Sequence, residues 1–136
     1  MTTTELSLTA LNVADLDRAV RFYVDALGFT EGDRFSAGEF DAAIVRAGAG
    51  GLELMLPTGE SAGRSREHGQ MFGKLVLSVD DVEARVASAA GHGGEVVMPA
   101  TEVARFGMII GMVRDPDGYL VEMTQRLRHQ NGPDEH

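Results

Sequence analysis

Hydrophobic and polar positions in the first part of the chain follow an order that predicts a β-α-β-β-β unit. Residues 5–13 alternate between apolar and polar side chains, as half-buried strands do. Apolar side chains then recur at helical spacing, at Leu16, Ala19, Val20, Tyr23 and Leu27. Asp15 is placed to cap this helix at its start, and Gly28 is placed to end it. Three short strands divided by turn residues follow up to Leu56, so we expect the first module over residues 5–57.

The second part of the chain repeats this order. Three pairs of residues lie 66 positions apart: Leu11 and Leu77, Val13 and Val79, Asp15 and Asp81. The same separation places Gly28 on Gly94 and Leu8 on Lys74. The repeat predicts that the chain is built from two like modules, the second over residues 72–126.

Turn residues and apolar runs predict the elements of the second module. It is expected to hold a helix capped by Asp81 and three further strands, at Val96 to Met98, Met108 to Val113 and Tyr119 to Thr124. The motif Asp-Pro-Asp-Gly at residues 115–118 has the residue order of a type I turn. Residues 58–71 are polar without a hydrophobic period and predict a linker, and residues 127–136 predict a frayed tail. Residues 1–136 are therefore predicted to form a single domain of two modules.

Composition limits the classes of function. The chain has 136 residues, of which 43% are hydrophobic, and this is enough for one domain with a core. A formal net charge of −9 argues against nucleic acid or anionic lipid as a partner, because both require a basic face. Cysteine is absent, which excludes disulfides, thiolate zinc ligands and a cysteine nucleophile. The N-terminus lacks a signal-peptide pattern and no apolar stretch has the length of a membrane span, so we expect a cytoplasmic protein.

Four segments carry a resemblance to a known family. Residues 12–29, 51–55, 74–81 and 113–123 together resemble the vicinal oxygen chelate superfamily. That group includes glyoxalase I, extradiol dioxygenases, methylmalonyl-CoA epimerase, and the fosfomycin and bleomycin resistance proteins. The resemblance implies an α+β fold of two tandem βαβββ modules, which form a curled mixed sheet around a concave cavity. It does not by itself select a chemistry, because one fold supports many functions.

The resemblance also implies where a metal site would lie. Metal-dependent members place four side chains in the cavity, and the matching positions here are Leu8, Glu53, Lys74 and Glu122. An aliphatic side chain has no lone pair and a lysine ammonium offers only donors, so we expect no metal and no cofactor. Lys74 would instead lie between the two glutamates and neutralise them. Such a triad is either a structural replacement for the ion or a catalytic acid–base group, and the glutamates could also be solvated strand charges.

A second set of residues is expected to contact a ligand. Six of the seven methionines follow residue 54, and flexible thioether side chains suit a cavity that adapts to an apolar or aromatic ligand. Met55 shares a strand face with Glu53, and Arg105 and Phe106 precede a predicted strand in the loop where related proteins present a gate. A surface-loop role remains the alternative for Arg105. The predicted ligand-binding set is Leu8, Met55, Arg105, Phe106 and Met108.

Two classes of function fit these observations. The first is a small-molecule-binding protein of the bleomycin-resistance kind without the usual metal site, for which the acidic charge predicts a cationic ligand. The second is a metal-independent isomerase or lyase, in which Lys74 with Glu53 or Glu122 transfers a proton next to a carbonyl. A metal-dependent glyoxalase or dioxygenase is disfavoured by the count of metal ligands. A homodimer is expected in each case, because the sheet edges of a small chain need cover.

Overall fold

The computed structural model describes residues 3–59 and 69–127. The chain divides into two compact units, Met1–Phe72 and Gly73–His136. The predicted frayed tail lies outside the described residues except for Leu127, and so do residues 60–68 of the predicted linker.

The first unit is a β-α-β-β-β module, as predicted. Its elements are β1 Thr9–Asn12, α1 Leu16–Arg21, β2 Thr30–Ser36, β3 Phe40–Ala47 and β4 Gly50–Pro57. The strands form a mixed sheet in the order β1-β4-β3-β2, in which only the β1–β4 pair is parallel. Asp15 accepts a hydrogen bond from the amide of Arg18 at 3.0 Å, which confirms the predicted cap. The guanidinium of Arg34 in β2 contacts Asp17 in α1 at 2.6 Å and lowers the pKa of that carboxyl by hydrogen bonding and charge.

The second unit has the same topology. Its elements are β5 Leu75–Ser78, α2 Val82–Gly91, β6 Glu95–Val103, β7 Met108–Arg114 and β8 Leu120–Arg126. The strand order β5-β8-β7-β6 again has one parallel pair, β5 with β8. The predicted α+β class and the two tandem βαβββ modules are thereby confirmed, but the strands form two four-stranded sheets and not one continuous sheet.

The helix of the second unit packs against the sheet at a glycine. A Cβ atom on Gly111 of β7 would lie 2.9 Å from side-chain carbons of both Val82 and Val86 of α2. Gly111 pairs with Met123 of β8, and Met123 pairs with Leu77 of β5. Paired residues project to the same side of a sheet, so these three positions define the side that faces α2. The core on this side includes Val113, Val121 and Met123, all with no exposed surface.

The two modules differ by one residue in their helices. In the first unit a π-helical segment, Phe22–Ala26, continues α1, and the amide of Leu27 bonds to the carbonyl of Phe22 five residues back, at 3.2 Å. A π-turn inserts one residue into a helix. β1 and β5 therefore start 66 positions apart, whereas β2 and β6 start 65 positions apart. The predicted match of Gly28 with Gly94 is wrong, because Gly28 (φ 83°) corresponds to Gly93 (φ 93°).

Two predicted strand boundaries also change. β6 runs from Glu95 to Val103 and is three times as long as predicted, because Pro99 lies on an edge strand with irregular pairing between Met98 and Thr101. The first strand of the first module is shorter than predicted, and Leu8 and Lys74 each lie one residue before the first strand of their module.

The predicted turn at residues 115–118 is confirmed. The amide of Gly118 donates to the carbonyl of Asp115 at 2.9 Å, which is the bond that closes a four-residue turn. The buried carboxylate of Asp115 accepts from the amides of Asp117 and Tyr119, both at 2.9 Å. This turn fixes the register in which β8 returns beside β7.

The contact between α2 and β7 predicts the effect of enlarging Gly111. Gly111→Ala would force its methyl group into Val82 and Val86, and overpacking of this kind costs about 1–3 kcal/mol. We expect that loss in the free energy of unfolding, measured by urea titration.

Gly91, the last residue of the same helix, provides the matched control. A Cβ atom there meets nothing within 4 Å, so Gly91→Ala is expected to be neutral or to stabilise by up to about 1 kcal/mol. Equal effects of the two substitutions would contradict the packing described for Gly111.

Candidate ligand-binding face

The two predicted glutamates occupy equivalent positions in the two sheets. Glu53 of β4 lies between Ala10 of β1 and Ile44 of β3. Glu122 of β8 lies in the same way between Val76 of β5 and Met112 of β7. The equivalence follows from the parallel pairing of the first and last strand in each module. Each glutamate therefore lies on the last strand of its module, between the first and the third strand, as the sequence repeat leads us to expect.

Lys74 and Glu122 form an ion pair in the second unit. The ammonium of Lys74 contacts Oε1 of Glu122 directly. The Glu122 side chain is 11% exposed and that of Lys74 is 43% exposed. Burial of a carboxylate is costly unless a cation or hydrogen-bond donors compensate its charge, and Lys74 provides this compensation.

The corresponding pair is absent from the first unit because the residue before β1 is Leu8. This side chain is half-buried and lies next to Gly51, where an added Cβ atom would come within 3.3 Å of Leu8 Cδ2. Glu53 is half-buried on the same strand as Met55, and the two-residue spacing puts both side chains on one side of the sheet. The predicted grouping of Lys74 with both glutamates stays a prediction for Glu53, which belongs to the other unit.

We name the side of the second sheet that is turned away from α2 the open face. Strand alternation and the register of the paired strands assign to it Lys74, Val76, Met98, Met108, Ile110, Met112 and Glu122. Val76 is 58% exposed, and Met98, Met108 and Met112 are half-buried. The open face therefore combines one charged pair with an accessible apolar surface.

The predicted gate residues follow β6 in a short 3-10 turn, Ala104–Phe106. The guanidinium of Arg105 lies 4.8 Å from the centroid of the Phe106 ring, and 58% of Phe106 is exposed. Gly107 (φ 68°) ends the turn in the left-handed region and leads into Met108. Arg105 and Phe106 are thus placed beside the end of β7 that is remote from Lys74.

The structure brings together some predicted residues and adds others. Lys74, Glu122 and Met108 share the open face, while Leu8, Glu53 and Met55 belong to the first unit. Sequence reasoning did not select Val76 and Met112, which are the direct neighbours of Glu122. Alternation counted from Lys74 places Val76 on the same side of the strand, whereas Met112 lies on another strand and is identified only by the register of β7 with β8.

The donor set of the second unit does not fit a divalent metal ion. Lys74 offers only N–H donors, and its ammonium already contacts Oε1 of Glu122. Among residues 3–59 and 69–127, no group of three or more histidine, aspartate or glutamate side chains is arranged to hold an ion. At the equivalent position in the first unit, Leu8 has no lone pair to offer.

Two βαβββ modules, each with a parallel pair between its first and last strands, define a protein of the glyoxalase and bleomycin-resistance fold. The family model described as Glyoxalase/Bleomycin resistance protein/Dioxygenase superfamily matches residues 5–123. The chain belongs to this superfamily.

Individual relatives support the assignment. Lactoylglutathione lyase of Haemophilus influenzae is 31% identical over 130 residues, which cover 91% of this chain and 94% of that protein. A probable lactoylglutathione lyase of Synechocystis is 30% identical over 120 residues, with 86% and 92% coverage. Members of the superfamily bind small molecules as substrates or ligands, so a small-molecule partner agrees with the family.

Solved structures share the fold. A glyoxalase family protein from Bacillus cereus superposes with a TM-score of 0.80 at 17% identity, covering 94% of this chain and 97% of that one. Glyoxalase I from Zea mays gives a TM-score of 0.78 at 23% identity, covering 90% of this chain and 45% of the maize protein. The chain thus spans less than half the length of the maize enzyme. No helix within the described residues is long and apolar enough to cross a membrane.

The ion pair predicts a stability loss when Lys74 is removed. Lys74→Met would leave Glu122 charged and largely desolvated. Because 43% of the Lys74 side chain is exposed, we expect about 1–2 kcal/mol at pH 7, less than for a fully buried pair. Urea titration at pH 7 measures it.

A double-mutant cycle separates the pair from packing effects. Lys74→Met combined with Glu122→Gln removes both charges, so the double variant should be more stable than the sum of the two single losses predicts. Additive losses would show that the two side chains do not interact in solution.

Proposed function

We propose that this protein binds a small organic molecule on the open face without a metal ion. The observation that supports the proposal is the Lys74–Glu122 pair, which lies at the family's metal-site positions and offers no free ligand set. Exposed or half-buried apolar side chains next to the pair, Val76, Met98 and Met112, provide contact area for a ligand. Of the ligand-binding set predicted from the sequence, Met108 lies on the open face. Leu8, Met55, Arg105 and Phe106 stay predictions.

A metal-independent isomerase or lyase is the second candidate. The relatives named lactoylglutathione lyase, an enzyme that normally depends on a metal, favour lyase activity but not its metal independence. The support for metal independence is that a lysine beside a glutamate can hold and transfer a proton. In this proposal the Lys74 ammonium donates hydrogen bonds to a substrate carbonyl. Glu122 or Glu53 accepts a proton from the carbon atom next to that carbonyl. Turnover would be lost in Lys74→Met while ligand binding through the apolar surface is retained.

Ligand binding is tested by thermal-shift screening with aromatic, cationic and keto-acid compounds. Compounds that bind the folded protein should raise its melting temperature by several degrees. Val76→Glu adds a charge to the open face at a position that is already 58% exposed, and it should abolish these shifts without unfolding the chain.

Ala87→Glu is the matched control, because Ala87 is exposed on α2, on the opposite side of the sheet. It should leave every shift unchanged. The proposal would be contradicted if no compound raised the melting temperature of the wild-type protein. It would also be contradicted if Val76→Glu and Ala87→Glu had equal effects on the melting-temperature shifts.

Metal content separates this proposal from a metal-dependent enzyme. After dialysis the wild-type protein should hold far less than one divalent ion per chain by elemental analysis, because Lys74 occupies a ligand position with a cation. Lys74→His replaces that cation by a lone-pair donor next to Glu122 and should raise the affinity for nickel or zinc in calorimetry. One tightly held ion per wild-type chain would contradict the proposal and favour a metal-dependent enzyme.

A homodimer in the cytoplasm belongs to the same proposal. The edge strands β2 and β6 are exposed along most of their length, and exposed edges favour pairing or cover by another chain. Sedimentation at micromolar concentration should give twice 14.5 kDa, and a species at 14.5 kDa would rule the dimer out.

A further inference from the structure

In the Lys74–Glu122 pair, the lysine side chain is more exposed to solvent than the glutamate side chain. Glu122 is 11% exposed, whereas the Lys74 side chain is 43% exposed. The ammonium has three N–H donors, and the contact to Glu122 uses only part of them. A molecule that approaches this part of the open face therefore meets hydrogen-bond donors before it meets the carboxylate.

A second cation lies at the same end of the open face. Arg114 ends β7 and pairs with Leu120 of β8, and the register that joins Leu75 to Val121 places Lys74 on the other side of Leu120. Two strand spacings separate Lys74 and Arg114, which is roughly 10 Å between their Cα atoms. Arg114 is exposed, and its guanidinium donates one hydrogen bond to the carbonyl of Gly118 at 3.1 Å. Both side chains are long enough to bind one group above Leu120.

The acidic residues of this unit are concentrated on the other side of the sheet. A cavity of about 330 Å³ there is lined by Asp80, Asp81, Glu83 and Glu102, beside the start of α2. The open face has Lys74, Arg114 and Arg126 against Glu95 and Glu122, and Glu95 of β6 is the direct cross-strand neighbour of Arg114. Salt screens interactions between exposed charges beyond about 8 Å at physiological ionic strength, so nearby groups decide what the face attracts. The net charge of −9 describes the whole chain and not this surface.

Apolar side chains begin directly beside the two cations. Val76 follows Lys74 on the same side of β5 and is 58% exposed, and Met112 lies across from Glu122. A ligand that places an anionic group between Lys74 and Arg114 would rest its apolar part on these residues. Charge-assisted hydrogen bonds from an ammonium and a guanidinium favour a carboxylate at that point.

We infer that the ligand of the open face carries a carboxylate, bound by Lys74 and Arg114, and an apolar body that contacts Val76 and Met112. The inference rests on the proposed small-molecule function. It reverses the cationic ligand expected from the net charge alone.

Matched compounds with one scaffold and three end groups test the inference. 3-Phenylpropionate, 3-phenylpropanamide and 3-phenylpropylamine, with the corresponding sets built on indole and naphthalene, are titrated by calorimetry. The carboxylates should bind at least about tenfold more tightly than the amines, because each charge-assisted hydrogen bond contributes more than a neutral one. Lys74→Met should reduce carboxylate affinity to that of the amide, and Lys74→Arg should retain the preference.

Arg21→Met is the matched control, since it removes one exposed cation from α1 of the other unit. It should leave the order of affinities unchanged. Amines that bind as tightly as carboxylates, or a carboxylate preference that survives Lys74→Met, would overturn the inference while leaving the proposed binding function intact. If none of these compounds binds in calorimetry and no compound of the thermal-shift library raises the melting temperature, the proposed function is contradicted, and this inference with it.

Discussion

A carboxylate set into a sheet between apolar neighbours requires a cation within reach, and this requirement organises the second unit. Glu122 has Val76 on one side and Met112 on the other, and neither can compensate its charge. The parallel pairing of β5 with β8 places Lys74, two residues before Val76, diagonally next to Glu122. The turn that begins at Asp115 sets the register of β8, so the pair depends on the hydrogen-bond network of the adjacent hairpin turn.

The two modules share this strand register but differ in the side chains at equivalent positions. Ile44 and Met112 are equivalent neighbours of the two glutamates, and Ala43 and Gly111 are equivalent positions beneath the helices. Ala43 fits under a helix that contains a π-turn, whereas Gly111 allows Val82 and Val86 to approach β7 closely. Leu8 in the place of Lys74 leaves an apolar contact with Gly51 in the first unit. The two modules therefore share their strand order and the register around the glutamates, whereas among the described residues the Lys–Glu ion pair at this position occurs in the second module.

Most elements of the fold were accessible from the sequence because each has a local physical cause. Helical spacing of apolar residues, the caps Asp15 and Asp81, and the turn at residues 115–118 were predicted and are present. The π-turn was not accessible, since an extra residue in a helix leaves the apolar spacing almost unchanged. The length of β6 was missed because Pro99 suggests a strand end, although an edge strand tolerates proline. Alternation placed Glu122 among apolar neighbours, but only the register shows that Val76 and Met112 are those neighbours.

The unequal exposure of Lys74 and Glu122 bears on whether the pair binds or catalyses. A general base must reach the proton that it removes, and Glu122 is largely covered by Lys74 and the side chains beside it. The ammonium is accessible, and it can stabilise negative charge on a carbonyl or carboxylate oxygen as a metal ion would, although a single cation is weaker than a divalent ion. Catalysis would then require Glu122 to be released from Lys74 when a substrate oxygen takes its place. Binding requires no such exchange, and the geometry therefore favours recognition of an anionic group as the primary role of this site.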